Sequence, residues 1–308
     1  MSDSIRLDPD MAAIAAAAPP FDETIPPALL RAAIEAAPIP ALRTELGRVE
    51  DVTIPGPAGP LRARLYATDA QVRPLTIFWH GGGWVLCSIE THDALCRALA
   101  AASGCAILSV DYRLAPEHKF PAAPDDAVAA MVWAAENASR LGCREGAIAL
   151  AGDSAGANLA VAASLAAASY GVALSHLLLF YPPLDPAGAG PSHKTYAEAP
   201  LLSAPMMQWF WQLYLRPGDA TDSRAAPALA GALGGLPATT VILAEYDPLR
   251  SDGEDFAARM RAAGCGVEVR LFSGVCHGFA SLLGLVAKAA KAVDYAGVRL
   301  QGAFVSSM

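Results

Sequence analysis

Eight short apolar runs, separated by stretches of helical periodicity, constrain this chain more than any other feature. They fall at residues 49–54, 61–66, 75–79, 106–110, 147–151, 176–181, 240–245 and 267–272. Most are nearly continuous in Ile, Leu, Val and Ala, the composition of strands covered on both faces. The run at 61–66 differs. Leu61, Ala63 and Leu65 alternate with Arg62 and Arg64, which predicts a half-exposed strand at a sheet edge. Helical patterns lie between the runs, at 92–102, 125–139, 155–170 and 251–263. This alternation predicts an α/β fold: a mostly parallel eight-stranded sheet with helices on both faces.

Two segments break the alternation. Residues 1–46 are rich in Ala and Pro, with predicted helices at 9–18 and 26–37 and no strand. Residues 186–235 separate the sixth and seventh runs and contain a predicted aromatic helix, 203–215, with Ser203 as N-cap and Pro205 in the first turn. The two segments are read as a helical cap, 1–46 and 186–235, over a core made of 47–185 and 236–308.

Composition removes several function classes. With 54% hydrophobic and 17% charged residues among 308, the chain is too apolar for disorder. A net charge of −8 and no Lys/Arg run longer than two exclude a surface that tracks nucleic-acid phosphates. Six cysteines without C-x-x-C spacing, and a polar, acidic stretch at 1–10, lead to the expectation of reduced thiols in a cytoplasm. Residues 154–184 carry no Asp, Glu, Lys or Arg, yet Gly171 and Pro182-Pro183 interrupt them. A buried helix followed by a buried strand is expected there, not a membrane span.

Chemistry concentrates where predicted strands end. Gly152-Asp153-Ser154-Ala155-Gly156 follows the fifth run and opens a helix, the context of a nucleophile elbow. A G-x-S-x-G arises by chance in about one such chain in eight. His80-Gly81-Gly82-Gly83-Trp84, at the end of the third run, is rarer, on the order of one chain in three hundred. Its glycines let peptide N–H groups approach a substrate oxygen with no Cβ in the way. Serine needs a base oriented by a carboxylate. Of six histidines, His277 alone follows the last run; His92, His118, His176 and His193 are read as ordinary surface or core residues. Asp247, directly after the seventh run, is the expected acid, with Asp185 as runner-up. Asp252, Glu254 and Asp255 are read as first-turn helix acids. Cys276 is read as a small buried hydrophobe, not a second nucleophile.

With these motifs in place, the sequence resembles the bacterial hormone-sensitive-lipase-like esterases, capped α/β-hydrolases with H-G-G-G and G-D-S-A-G motifs. The resemblance spans roughly residues 75–279 and includes Asp111-Tyr112-Arg113-Leu114-Ala115-Pro116-Glu117-His118, Tyr181-Pro182-Pro183 and Asp247-Pro248-Leu249. It implies the α/β-hydrolase fold and hydrolysis of short- to medium-chain carboxylic esters through an acyl-enzyme. Ser154, Asp247 and His277 would form the triad, with oxyanion donors at the N–H groups of Gly82, Gly83 and Ala155. It implies no cofactor and no metal, a small-molecule ester as partner, and frequent homodimerisation. Asp111, Tyr112, Arg113 and Glu117 are expected to form a structural network. Trp84, Met207 and Phe210 are candidates for lining the substrate site, with simple packing against 1–46 as the alternative for the cap helix. A non-catalytic receptor on this scaffold would lack the base, and His277 is present. The motifs do not separate esters from amides, lactones or a water elimination.

Overall fold

A computed structural model describes residues 5–37 and 42–305. Residues 1–4 and 38–41 of the predicted N-terminal cap segment, and 306–308, lie outside the described residues. The strands are β1 (Arg48–Gly56), β2 (Gly59–Ala67), β3 (Arg73–Trp79), β4 (Ala106–Val110), β5 (Cys143–Asp153), β6 (His176–Phe180), β7 (Thr239–Tyr246) and β8 (Val267–Cys276). The described helices are α1 (Pro9–Ala17), α2 (Pro27–Ala36), α3 (Asp93–Ser103), α4 (Ala122–Glu136), α5 (Ala155–Ala167), α6 (Ser192–Thr195), α7 (Ala204–Tyr214), α8 (Arg250–Ala262) and α9 (Ala287–Val305).

The strands form one sheet in the order β1-β2-β4-β3-β5-β6-β7-β8. β2 runs antiparallel to both its neighbours, and every other pairing is parallel. All eight apolar runs are strands, as expected. The edge placement of the second run is corrected: β1 takes the edge and β2 lies inside it. Its alternation reflects a face lined with ion pairs, where Arg64 meets Asp51 and Glu90 and Arg62 meets Glu90 and Asp111. Charge compensation lets arginines sit on an interior strand.

Each strand feeds two cores. Ile148 and Leu150 of β5 face a cluster with α4, α5 and α8, while Ala147, Ala149 and Ala151 face one with α3 and α9. That two-sided burial explains the continuous apolar runs. Helix α9 was not among the expected elements. Its buried Ala289, Ala292, Val293, Ala296, Leu300 and Phe304 recur every three or four residues, but alanine gives such a stripe little contrast. Helix α4 starts three residues earlier than expected, carrying Pro124 in its first turn. The uncharged stretch 154–184 divides into α5 and β6. Among the described residues no helix is long and apolar enough to cross a membrane.

Candidate active site

β5 ends at Asp153 and α5 begins at Ala155, so Ser154 alone makes the turn, with φ +51° and ψ −122°. Non-glycine residues rarely adopt positive φ, and here it lifts the side chain out of the strand–helix junction. A Cβ on Gly156 would come within 1.9 Å of the Trp79 carbonyl oxygen, and one on Gly152 within 2.3 Å of the Gly156 carbonyl carbon. The motif glycines are therefore required by close packing of backbone on backbone.

Ser154 Oγ lies 2.9 Å from His277 Nε2, and His277 Nδ1 lies 2.8 Å from Asp247 Oδ2. Asp247 is wholly buried, and its second oxygen accepts the Leu249 N–H at 2.8 Å. The Tyr181 ring packs 4.6 Å from the imidazole. Hence Nδ1–H donates to Asp247, leaving Nε2 free to accept from Ser154. The structure brings together Ser154, Asp247 and His277 from the ends of β5, β7 and β8. Asp185 is elsewhere, its carboxylate accepting the Ala187 and Ala189 N–H groups. Cys276 is buried, and burial pushes its thiol up to about 12.

Beside the serine, the loop after β3 turns through Gly82 (φ +106°) and Gly83 (φ +61°). Among the described residues, the N–H groups of Gly82, Gly83 and Ala155 donate to no acceptor. Ala155 opens α5, so its N–H has no intrahelical partner. His80 fixes the loop. Burial, with the charge of His92, lowers its pKa to about 4, so the ring is neutral; its Nδ1–H donates to the Gly81 carbonyl at 2.7 Å. In a trans peptide the C=O and the next N–H point opposite ways. Holding the Gly81 carbonyl thus fixes where the Gly82 N–H points. Tyr112 stacks on His80 at 4.5 Å and donates to its carbonyl, as Arg113 pairs with Asp126 and Glu117 with Arg31. That segment is the structural network expected.

Aromatic residues join the loop to α7. Trp84, expected to line the substrate site, is wholly buried, stacked on Tyr214 at 4.4 Å and packed on Trp211 at 4.3 Å. It is a packing residue; each such pair contributes about 0.5–1.5 kcal/mol beyond its burial. Phe210 lies against Gly83. Met207 lines a cavity of about 310 Å³ with Asp185, His193 and Trp211. Ser203 caps α7 as expected, its Oγ accepting the Met206 N–H. Phe21 meets Trp209 edge-on at 5.3 Å, and Arg31 of α2 donates to the Val85 and Ala115 carbonyls.

Sequence reasoning missed two buried pairs. His92 Nε2 lies 3.2 Å from Asp153 Oδ1, which also accepts the Gly81 N–H at 2.8 Å. Asp252, read as an ordinary first-turn acid, is instead buried; it accepts the Leu184 and Asp185 N–H groups and meets His193 Nε2 at 2.7 Å. Burial alone would lower the His193 pKa, but the Asp252 hydrogen bond and charge outweigh it and raise it. Each pair joins residues far apart in the chain, so no local pattern announces it. Among the described residues, no group of three or more His, Cys, Asp or Glu is placed to hold a metal.

An elbow serine bonded to an imidazole that is bonded to a buried aspartate, at the carboxyl edge of this sheet, is the arrangement of an α/β-hydrolase. The chain belongs to that family: the alpha/beta hydrolase fold family matches residues 76–281. It is 43% identical over 265 residues to the carboxylic ester hydrolase LipN of Mycobacterium tuberculosis, covering 83% of this chain and 70% of that protein. Among solved structures it resembles an esterase from Pyrobaculum calidifontis, with 38% identity, TM-score 0.90, and coverage of 96% of this chain and 98% of the other. The carboxylesterase EstE1, cloned from a metagenomic library, gives 40% identity, TM-score 0.87, and coverage of 92% and 99%. The resemblance to hormone-sensitive-lipase-like esterases is thereby borne out.

Proposed function

We propose that the protein is a serine carboxylesterase that hydrolyses short- to medium-chain carboxylic esters through an acyl-enzyme. The observation that carries this reading is the continuous chain of hydrogen bonds Ser154–His277–Asp247 beside three unpartnered N–H groups. Ser154 Oγ attacks the ester carbonyl carbon while His277 Nε2 takes its proton. Asp247 holds the imidazole in the required tautomer and stabilises the imidazolium. The N–H groups of Gly82, Gly83 and Ala155 receive the oxyanion of the tetrahedral intermediate. The imidazolium then protonates the departing alcohol. Water, activated by the same histidine, releases the acid and restores Ser154.

The segments 1–46 and 186–235 act together as a cap over this edge of the sheet, with Phe210 and Met207 bounding the acyl chain. The relatives named esterases support ester substrates over amides. Six free thiols suit a reducing cytoplasm, and dimerisation carries over from the family as part of the same reading. The test is turnover of p-nitrophenyl esters from acetate to palmitate by wild type and Ser154→Ala. Activity highest on short to medium chains and abolished in the variant is expected. Equal turnover by both proteins would overturn the assignment.

A further inference from the structure

We propose that His92 and Asp153 form a buried ion pair that holds the oxyanion loop in register with the nucleophile elbow, making both positioning residues for ester hydrolysis. The inference rests on the site reading given above.

Asp153 directly precedes the nucleophile. Its buried carboxylate reaches the loop after β3, where Oδ1 accepts the Gly81 N–H at 2.8 Å. The contact is close on both oxygens: a Cβ on Gly81 would come within 2.5 Å of Asp153 Oδ2. Gly81 is thus held at both ends, its N–H by Asp153 and its C=O by His80. The Gly82 N–H belongs to the peptide so fixed. One carboxylate therefore ties the segment that carries Ser154 to the segment that carries the oxyanion donors.

A carboxylate this deeply buried needs a compensating charge, and His92 supplies it. The neighbours of both ring nitrogens accommodate an imidazolium. The Thr91 hydroxyl donates to the Ser88 carbonyl at 2.9 Å and sits 2.9 Å from His92 Nδ1. With that hydrogen directed at the carbonyl, Thr91 Oγ1 is an acceptor for a proton on Nδ1, the arrangement an imidazolium uses. Nε2 must carry a proton to bond Asp153. Burial would lower the pKa of His92 and raise that of Asp153, yet their mutual attraction outweighs it in both, raising the first and lowering the second. The other titratable groups facing the pair are His80, Asp111, Tyr112, Tyr181, Cys87 and Cys96. His80, with its ring 5.6 Å from that of His92, is held neutral, so the two imidazoles do not compete for the carboxylate.

The experiment compares His92→Leu, His92→Gln and Ser154→Ala on p-nitrophenyl butyrate, with folding followed by circular dichroism. His92→Leu should lower kcat per folded molecule about 10–100-fold, short of the ~10²–10³ for deleting a donor outright, and leave KM within about threefold. His92→Gln, which can still donate an N–H to Asp153, should recover most of that loss. Should His92→Leu fail to fold, the neutral double variant His92→Leu/Asp153→Asn carries the same kinetic test without an unpaired buried charge. Nitrogen NMR of the wild type, assigned with His92→Gln, should show both His92 ring nitrogens protonated at pH 6, below its raised value. A folded His92→Leu with unchanged kcat, a loss that lies in KM and is not rescued by Gln, or a bare His92 nitrogen at pH 6 would each overturn the pair's role. An active Ser154→Ala would instead overturn the site reading on which it rests.

Discussion

The Phe210 ring lies so close to Gly83 that a Cβ built on the glycine would come within 2.2 Å of its Cδ1. The cap helix and the oxyanion loop are therefore in contact at the proposed donor. Gly83→Ala should lower kcat by about 10²–10³, the loss of one donor. Adding Phe210→Leu should restore much of it, since an alanine in the left-handed region costs only about 1–2 kcal/mol. A double variant no better than the single would show that the ring is not the obstruction.

Triad variants should separate the carboxylates. Ser154→Ala and His277→Ala are expected to reduce kcat by about 10⁴–10⁶, and Asp247→Asn by about 10⁴ through the wrong tautomer. Asp185→Asn, whose carboxylate caps only its own loop, should leave kcat within about twofold, as surface changes generally do. Reversal of the last two results would reassign the acid.

Trimming Phe210 or Met207 to Ala should shift the preferred acyl chain to longer homologues. Each methylene buried in an apolar pocket contributes about 0.8 kcal/mol, so preference should move several-fold per step. The measurement is kcat/KM across the ester series. Parallel profiles differing only in height would leave both residues as packing.

Alkylation should not inhibit. Burial pushes the Cys87 and Cys276 thiols up to about 12, so neither holds appreciable thiolate at neutral pH. Iodoacetamide at pH 7.5 should leave the esterase active. Stoichiometric inactivation on labelling Cys276 alone would give that residue a role.

The buried His92–Asp153 pair makes stability depend on pH with a definite sign. His92 is held above its ordinary value, so its contribution is complete below its unfolded value of about 6.5 and is lost as pH rises through the folded value. Asp153 is held below its ordinary value, so its contribution is present above about 3.9 and is lost as pH falls through the folded value. The Tm advantage of wild type over His92→Gln should be largest between those limits and shrink above pH 6.5. Melting curves from pH 5 to 9 measure it, and an advantage growing with pH would contradict the pairing.

Strands buried on both faces write themselves into sequence as continuous apolar runs, which made β3 to β7 readable, whereas β2 was legible from its alternation. So were Ser154, Asp247 and His277, because each follows a strand directly. Position within the sheet was not readable: Arg62 and Arg64 look like edge residues until Glu90, Asp51 and Asp111 are seen opposite them. Helix α9 escaped because its buried stripe is largely alanine. Trp84 looked like a pocket wall because it adjoins the glycine loop, but its positive φ of 59° accompanies burial between Trp211 and Tyr214. The His92–Asp153 and His193–Asp252 pairs depend on tertiary contact alone.

Ser154 and His277 stand 123 positions apart in the chain, and β8, the strand leading to the histidine, is bonded only to β7 at the outer border of the sheet. A ribosome making this protein therefore delivers the nucleophile long before its base, and every partial product is chemically silent. Turnover appears only after the last strand has docked. In a refolding time course, recovered ester cleavage would thus report the molecules in which β8 has docked beside β7, which ellipticity alone does not single out.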